Sequence, residues 1–205
     1  MSFYSGLAIA AQAFRLELPR QFSRLANGQV IPSRAGASYW RGSASLAPAY
    51  HANAAEYEVD LMALDRPGAV FDVYDARFNG PRADPGGVIL DTATPSLHTV
   101  SGDNGSIRIA GLPGSYVISK GDYIGWTRAN GSKALHRARA TVTASLAGLT
   151  PLVAVEPLVR AGDATGVGVV LVRPTCRALV VQSAYGSGRP LITDGGSFDW
   201  QEALR

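Results

Sequence analysis

Short runs of alternating apolar and polar residues fill this chain, broken every few positions by Gly, Pro or Asn-Gly, and a helical period appears in one place only. Residues Ala13 to Leu18 alternate as a strand does, and Pro19 ends that strand or places it at a sheet edge. Asn27-Gly28 reads as a type I′ turn, followed by Gln29-Val-Ile-Pro and a strand over Tyr39 to Leu46, so the N-terminal part is rich in hairpins. From Asn53 the spacing changes. Ala54, Tyr57, Leu61 and Leu64 recur on one helical face, while Glu56, Glu58, Asp60 and Asp65 take the other sides. Asn53 is the expected N-cap with Glu56 at the capping-box position, and Pro67-Gly68 stops the helix after Arg66. A strand over Val70 to Tyr74 follows. Trp40, Leu46, Tyr57, Leu61, Leu64, Phe71 and Val73 are the expected core, because the helix stripe and the inward strand faces must bury against each other.

The run Asn79-Gly-Pro-Arg-Ala-Asp-Pro-Gly-Gly cannot form a regular element and marks a boundary. Beyond it, short strands are expected over Val88 to Leu90, Ser106 to Ala110, Tyr116 to Ile118, Gly121 to Thr127, Leu135 to Thr143, Pro151 to Glu156 and Val167 to Arg173. Their number and spacing suit a small closed or partly closed barrel on the scale of an OB-fold. Thr175 to Val181 then returns to the first sheet, which makes the barrel an insertion. The expected architecture is mainly β: a hairpin-rich sheet domain with one short helix over residues 1–87 and 175–205, and an inserted OB-like barrel over 88–174.

Composition sharpens this picture. Gly (23) and Pro (12) are abundant and only 17% of residues are charged, which favours strands and tight turns over long helices. The net charge of +3 falls far short of a phosphate-binding stripe. Nearly all positive charge is arginine, since Lys120 and Lys133 are the only lysines, and arginine suits partly buried ion pairs at protein interfaces. Cys176 is the single cysteine, so no intrachain disulfide forms. The apolar start lacks a basic residue ahead of it, so no secretory leader is expected and the mature chain should keep Met1 or Ser2. No stretch is long enough to span a bilayer as a helix.

The stretch from Arg34 to Gly87, with its strand containing Trp40 and Leu46, its Glu- and Leu-bearing helix, its Gly68 turn and its Phe71-Asp-Val-Tyr-Asp strand, resembles the ring domain of siphophage distal tail proteins. Gly121-Asp-Tyr-Ile is similar to a strand-opening step of phage tail and baseplate barrels. The resemblance implies a ring-forming β-sandwich with an inserted galectin-like or OB-like module. It further implies a structural virion protein of the phage tail, made in the host cytoplasm. Such a protein assembles as a homohexamer between the tail tube protein and the tail-tip hub protein, with the tape-measure protein nearby and DNA only as passing cargo. An alternative role is a carbohydrate- or receptor-binding module of the tail tip, and a nucleic-acid-binding barrel comes third.

No catalytic set emerges. His51, His98 and His136 lack metal-ligand spacing, and His136 alternates with Arg137 so as to face a barrel interior alongside Ala138, Ala140 and Val142. Arg137, Arg139, Thr141 and Thr143 form the opposite, outward face. Gly114-Ser115, Gly131-Ser132 and Gly186-Ser-Gly188 lack the nucleophile-elbow frame, and neither Gly162 to Gly168 nor Gly186 to Gly188 is a phosphate loop. Asp72 and Asp75 have no catalytic partner in the sequence. No enzyme activity, cofactor or metal is expected. Arg15, Arg20, Arg24, Arg77 and Arg82 are the candidate protein-interface residues; Tyr116, Tyr123 and Trp126 are the candidate ligand face if the tip-binding alternative holds.

Overall fold

The computed structural model describes residues 3–160, 163 and 165–204. Met1, Ser2 and Gly162, all mentioned above, lie outside the described residues. Among the described residues strand accounts for 42% and helix for 9%, in antiparallel sheets with one α-helix, as the composition predicts. The chain divides into two compact units, Met1–Phe71 with Ala178–Leu204, and Asp72–Arg177. Residues 72–87, which sequence patterning assigns to the first unit, group with the second.

The first unit starts with a 3-10 turn, Phe3–Gly6, and strands β1 (Ile9–Glu17), β2 (Arg20–Arg24), β3 (Val30–Arg34), β4 (Tyr39–Leu46) and β5 (Ala49–Tyr50). Helix α1 (His51–Leu64) follows, and β6 (Phe71–Val73) runs from the end of this segment into the second unit. In the second unit come β7 (Ser96–Val100), β8 (Ser106–Ala110), β9 (Val117–Ile118), β10 (Tyr123–Thr127), β11 (Lys133–Ala138), β12 (Val142–Thr143), β13 (Val153–Glu156) and β14 (Val169–Val170). β15 (Cys176–Ala184) leads back to the first unit, which ends with β16 (Gly188–Arg189), β17 (Ile192–Thr193) and β18 (Ser197–Glu202).

In the first unit a five-stranded sheet runs β1-β4-β18-β15-β6. Alternation puts Trp40, Ala44 and Leu46 of β4 and Phe198 and Trp200 of β18 on the buried face. Phe14 packs 4.8 Å from Trp200 and 5.4 Å from Trp40, centroid to centroid, and Tyr4 and Phe71 stack 6.2 Å apart. Gly42 lies opposite Trp200 in the ladder, and a Cβ there would come within 2.7 Å of the indole and 2.0 Å of the Ala13 carbonyl, so the indole occupies the space a side chain would need.

The helix starts three residues earlier than its capping pattern predicts. Asn53 lies inside α1 and is not its cap; Tyr50 is the N-cap residue, with no side-chain cap bond, and Glu56 closes no capping box. The reason is tertiary: β5 pairs with β17 and feeds straight into the helix, so the His51 N–H bonds the Leu191 carbonyl at 3.0 Å and its Nδ1 meets the Thr193 hydroxyl at 3.1 Å. Ala54 and Leu61 are fully buried, whereas Tyr57 and Leu64 are only half-buried. Of the expected core, Trp40, Leu46, Leu61, Phe71 and Val73 are buried, with Val73 falling in the second unit. At the C-terminal end, Asp65 accepts hydrogen bonds from Ser183 (2.7 Å) and Tyr185 (2.8 Å), tethering the helix to β15 and the residue after it.

The second unit is built on a six-stranded antiparallel sheet, β14-β10-β11-β13-β8-β7. It curls until its first and last strands meet: Ser96 bridges Gly168, and Leu97 and Val167 share a 2.9 Å bond. Inside sit Leu97, Ile107, Ile109, Ile124, Trp126, Val153 and Val155, each from an alternating inward position. The expected strand at Val88 to Leu90 is a turn. Its backbone N–H groups are taken by the Asp84 carboxylate, with Ile89 at 2.8 Å and Leu90 at 3.0 Å, which removes them from any ladder. The expected Leu135 to Thr143 strand breaks after Ala138, so Ala140 is exposed and does not share the interior with His136 and Ala138.

Candidate functional site

The candidate arginines fall into separate groups. Arg20 and Arg24 lie on β2, which among the described residues pairs only with β3 in a two-stranded ribbon, in register Arg20 to Arg34, Phe22 to Pro32 and Arg24 to Val30. The turn is not the type I′ turn that Asn27-Gly28 suggests. Leu25 and Gln29 close a three-residue loop, the Gly28 N–H bonds the Leu25 carbonyl at 2.9 Å, and only Gly28 takes a positive φ, +82°. Every residue from Arg20 to Ala37 is exposed. Phe22 is 61% exposed, and Leu25, Val30 and Ile31 are each about 45% exposed. Period two puts Arg20, Phe22 and Arg24 on one face, a phenylalanine between two guanidinium groups, which is not a core-facing pattern. That alternation is the sequence signal of a ribbon with no core to face.

Arg15 stands on the outer face of β1, exposed and directly opposite Arg41, whose guanidinium pairs with Glu17 at 3.5 Å. This outer face frames a shallow hollow of about 290 Å³ with Ser43, Asp199 and Gln201. Two facing arginines with carboxylates at either side make a mixed-charge surface suited to a polar contact.

Arg77 and Arg82 belong to the second unit. Arg77 forks onto Asp75, Nε to Oδ1 and Nη2 to Oδ2, both at 2.8 Å, and the Tyr123 hydroxyl donates to the same carboxylate at 3.1 Å. Burial pushes the Asp75 pKa up, but the Arg77 bonds and charge and the Tyr123 hydroxyl outweigh it and hold it below the usual range. Arg82 is anchored through its backbone N–H to Asp122 at 3.0 Å.

Tyr116, Tyr123 and Trp126 are each 3% exposed, so they present no aromatic platform to a sugar or a base. Tyr116 donates to the buried Asp84, and Tyr123 is covered by Arg137, 4.9 Å from its centroid, and by Phe78, edge-on at 5.1 Å. Burial, with the nearby carboxylates, raises both phenol pKa values. Trp126 stacks on His136 at 4.6 Å inside the barrel. His136 is 1% exposed, as its alternation predicts. Because the Pro157 carbonyl only accepts, the imidazole donates from Nδ1 at 2.7 Å and is the Nδ1-protonated tautomer. Burial above all, against the pull of that carbonyl, drops its pKa to about 4.

Among the described residues no three His, Cys, Asp or Glu side chains gather as metal ligands, and no helix is long and apolar enough to cross a membrane. No protein-family model matches the chain, and no curated protein is significantly similar to it. What the geometry offers is surface: on the first unit a β-ribbon with exposed arginine and apolar side chains and a mixed-charge hollow beside Arg15 and Arg41, and on the second unit the arginines Arg77, Arg82 and Arg137.

Proposed function

We propose that the chain is a ring-forming structural protein of the tail tip of a long-tailed phage, joining the tail tube to the hub. One observation carries this reading. A two-stranded ribbon is at best marginal in water by itself, and this one exposes Phe22, Leu25, Val30 and Ile31, which no described residue covers. Docked on a neighbouring copy, the ribbon buries those side chains and its arginines meet that copy's carboxylates, fixing register. Contact between an arm on one copy and a different surface on the next is heterologous, and such contacts generate closed rings when the rotation closes. Pro32 and the flanking arginines suit this role, since they discourage indiscriminate edge pairing while the arm is free. The strand-helix-strand pattern from Arg34 to Gly87 supports the tail-tip setting, and a homohexamer is the proposed ring. The glycan-binding alternative draws no support from Tyr116, Tyr123 and Trp126, which are buried.

The test is charge reversal on the arm. Arg20→Glu with Arg24→Glu leaves the monomer folded, because both side chains are exposed, and abolishes assembly. Normal assembly of the double variant refutes this placement of the interface.

A further inference from the structure

The hollow beside Gly121 in the second unit has a charge arrangement that the ring reading does not use. About 560 Å³ in volume, it is lined by Arg77, Arg82 and Arg137, by Phe78 and by two prolines, Pro81 and Pro85. Its two carboxylates are both engaged. Asp75 is filled by Arg77 and Tyr123, and Asp122 accepts the backbone N–H groups of Ser119 at 2.7 Å and Arg82 at 3.0 Å. Arg82 and Arg137 therefore have no carboxylate within ion-pair distance among the described residues.

Each head is nevertheless held in place. Arg137 donates from Nε to the Gly121 carbonyl at 3.1 Å and lies over the Tyr123 ring, while Arg82 reaches the Lys120 carbonyl from Nη2 at 3.4 Å. Their Nη2 atoms approach one spot: a Cβ on Gly121 would lie 3.5 Å from that of Arg137 and 4.0 Å from that of Arg82. Gly121, at φ +97°, keeps that spot free of side chain. Among the residues that line the hollow, Arg77, Arg82 and Arg137 stand against Asp75 and Asp122, so positive charge exceeds negative by one.

We infer that Arg82 and Arg137 form an oxyanion site over Gly121 that takes the phosphate of a small phosphate monoester. The two Nη2 groups that face this spot can each donate to an oxygen of one phosphate, and a phosphate monoester offsets the net positive charge of the lining. The hollow is far larger than a phosphate ion, and Phe78 with the two prolines gives the organic part of an ester an apolar wall. The site rests on residues other than the ribbon, so it is tested on the full chain whether or not that chain assembles.

The experiment titrates the full-length protein with inorganic phosphate, glycerol phosphate and phenyl phosphate, following Arg Nε–H resonances by NMR and heat by calorimetry. Arg82→Gln and Arg137→Gln are compared with wild type; both positions are exposed, and circular dichroism checks that each variant keeps its fold. Expected are saturable shifts at Arg82 and Arg137, tighter binding of phenyl phosphate than of phosphate, and a loss of about tenfold in affinity for each variant. Equal affinity in wild type and both variants overturns the site, as does the absence of saturable shifts. A single-stranded oligonucleotide without terminal phosphate that competes more strongly than phenyl phosphate overturns the small-ester assignment.

Discussion

Acidifying the protein from pH 7 to pH 4 should destabilise it in a window that His136 defines. The imidazole is 1% exposed, stacked on Trp126 and bonded through Nδ1 to Pro157, with the Arg128 and Asp163 ion pair nearby. Its pKa in the fold is about 4, against 6.5 when solvated. Between those values the unfolded chain binds a proton that the folded chain refuses, so the unfolded state holds more protons and stability falls as pH falls. The contribution is whole above pH 6.5 and is lost as pH drops towards 4. At 1.36 kcal/mol per pKa unit, the loss across the window is about 3 kcal/mol. Asp75 and Asp84 are lowered by their hydrogen bonds against burial, so their contribution is lost below the solvated carboxylate range, beneath the histidine window. Urea midpoints at pH 7, 6, 5 and 4 measure the effect, and an NMR titration of the ring gives the pKa directly. His136→Phe keeps a ring on Trp126 and removes the titration, so its stability should be flat from pH 6.5 to 4. A wild-type profile equally flat, or an imidazole titrating near 6.5, refutes the reasoning.

Leu61 is 1% exposed on α1, and Leu61→Ala should cost about 2 to 5 kcal/mol in chemical denaturation; a loss below about 0.5 kcal/mol would mean the helix is not docked through this side chain. A fragment of residues 72–177 should fold cooperatively and show dispersed amide resonances, since it contains the barrel and the Asp75 and Asp84 bonds to Tyr123 and Tyr116. Trimming it to 88–173 removes both carboxylates and should lower its denaturation midpoint. Equal midpoints would show that the 72–87 segment contributes nothing, and an unfolded 72–177 fragment would contradict the division into units.

Where the local pattern is strong, the sequence is a good guide. β4 and β8 begin and end where alternation and turn residues place them, and His136 is inside because its neighbours alternate. Legibility fails where distant segments decide. The start of α1 is set by Leu191 and Thr193, more than a hundred residues away, which override the local Asn53 signal. Val88 to Leu90 looks like a strand until Asp84 claims its N–H groups. β10 is buried on both faces because Arg137 and Phe78 cover Tyr123 and Pro174 sits against Gly125, so its aromatic residues read equally as platform or core. β7 carries a register shift between Leu97 and Thr99, which blurs its alternation, and no strand is expected there from sequence. Among the candidate arginines, sequence reasoning finds Arg82 but not its convergence with Arg137, since that meeting depends on the turn at Gly121.

Assembly through the exposed ribbon is read most directly from the native mass of the purified full-length protein, taken with negative-stain images. Closed rings with an open axis and a mass of six chains are expected, lost in the Arg20→Glu, Arg24→Glu variant. A wild-type protein that stays monomeric at high concentration, with ribbon amides protected from hydrogen exchange as strongly as those of β4, would contradict this expectation, because the ribbon would then be stable without a neighbour.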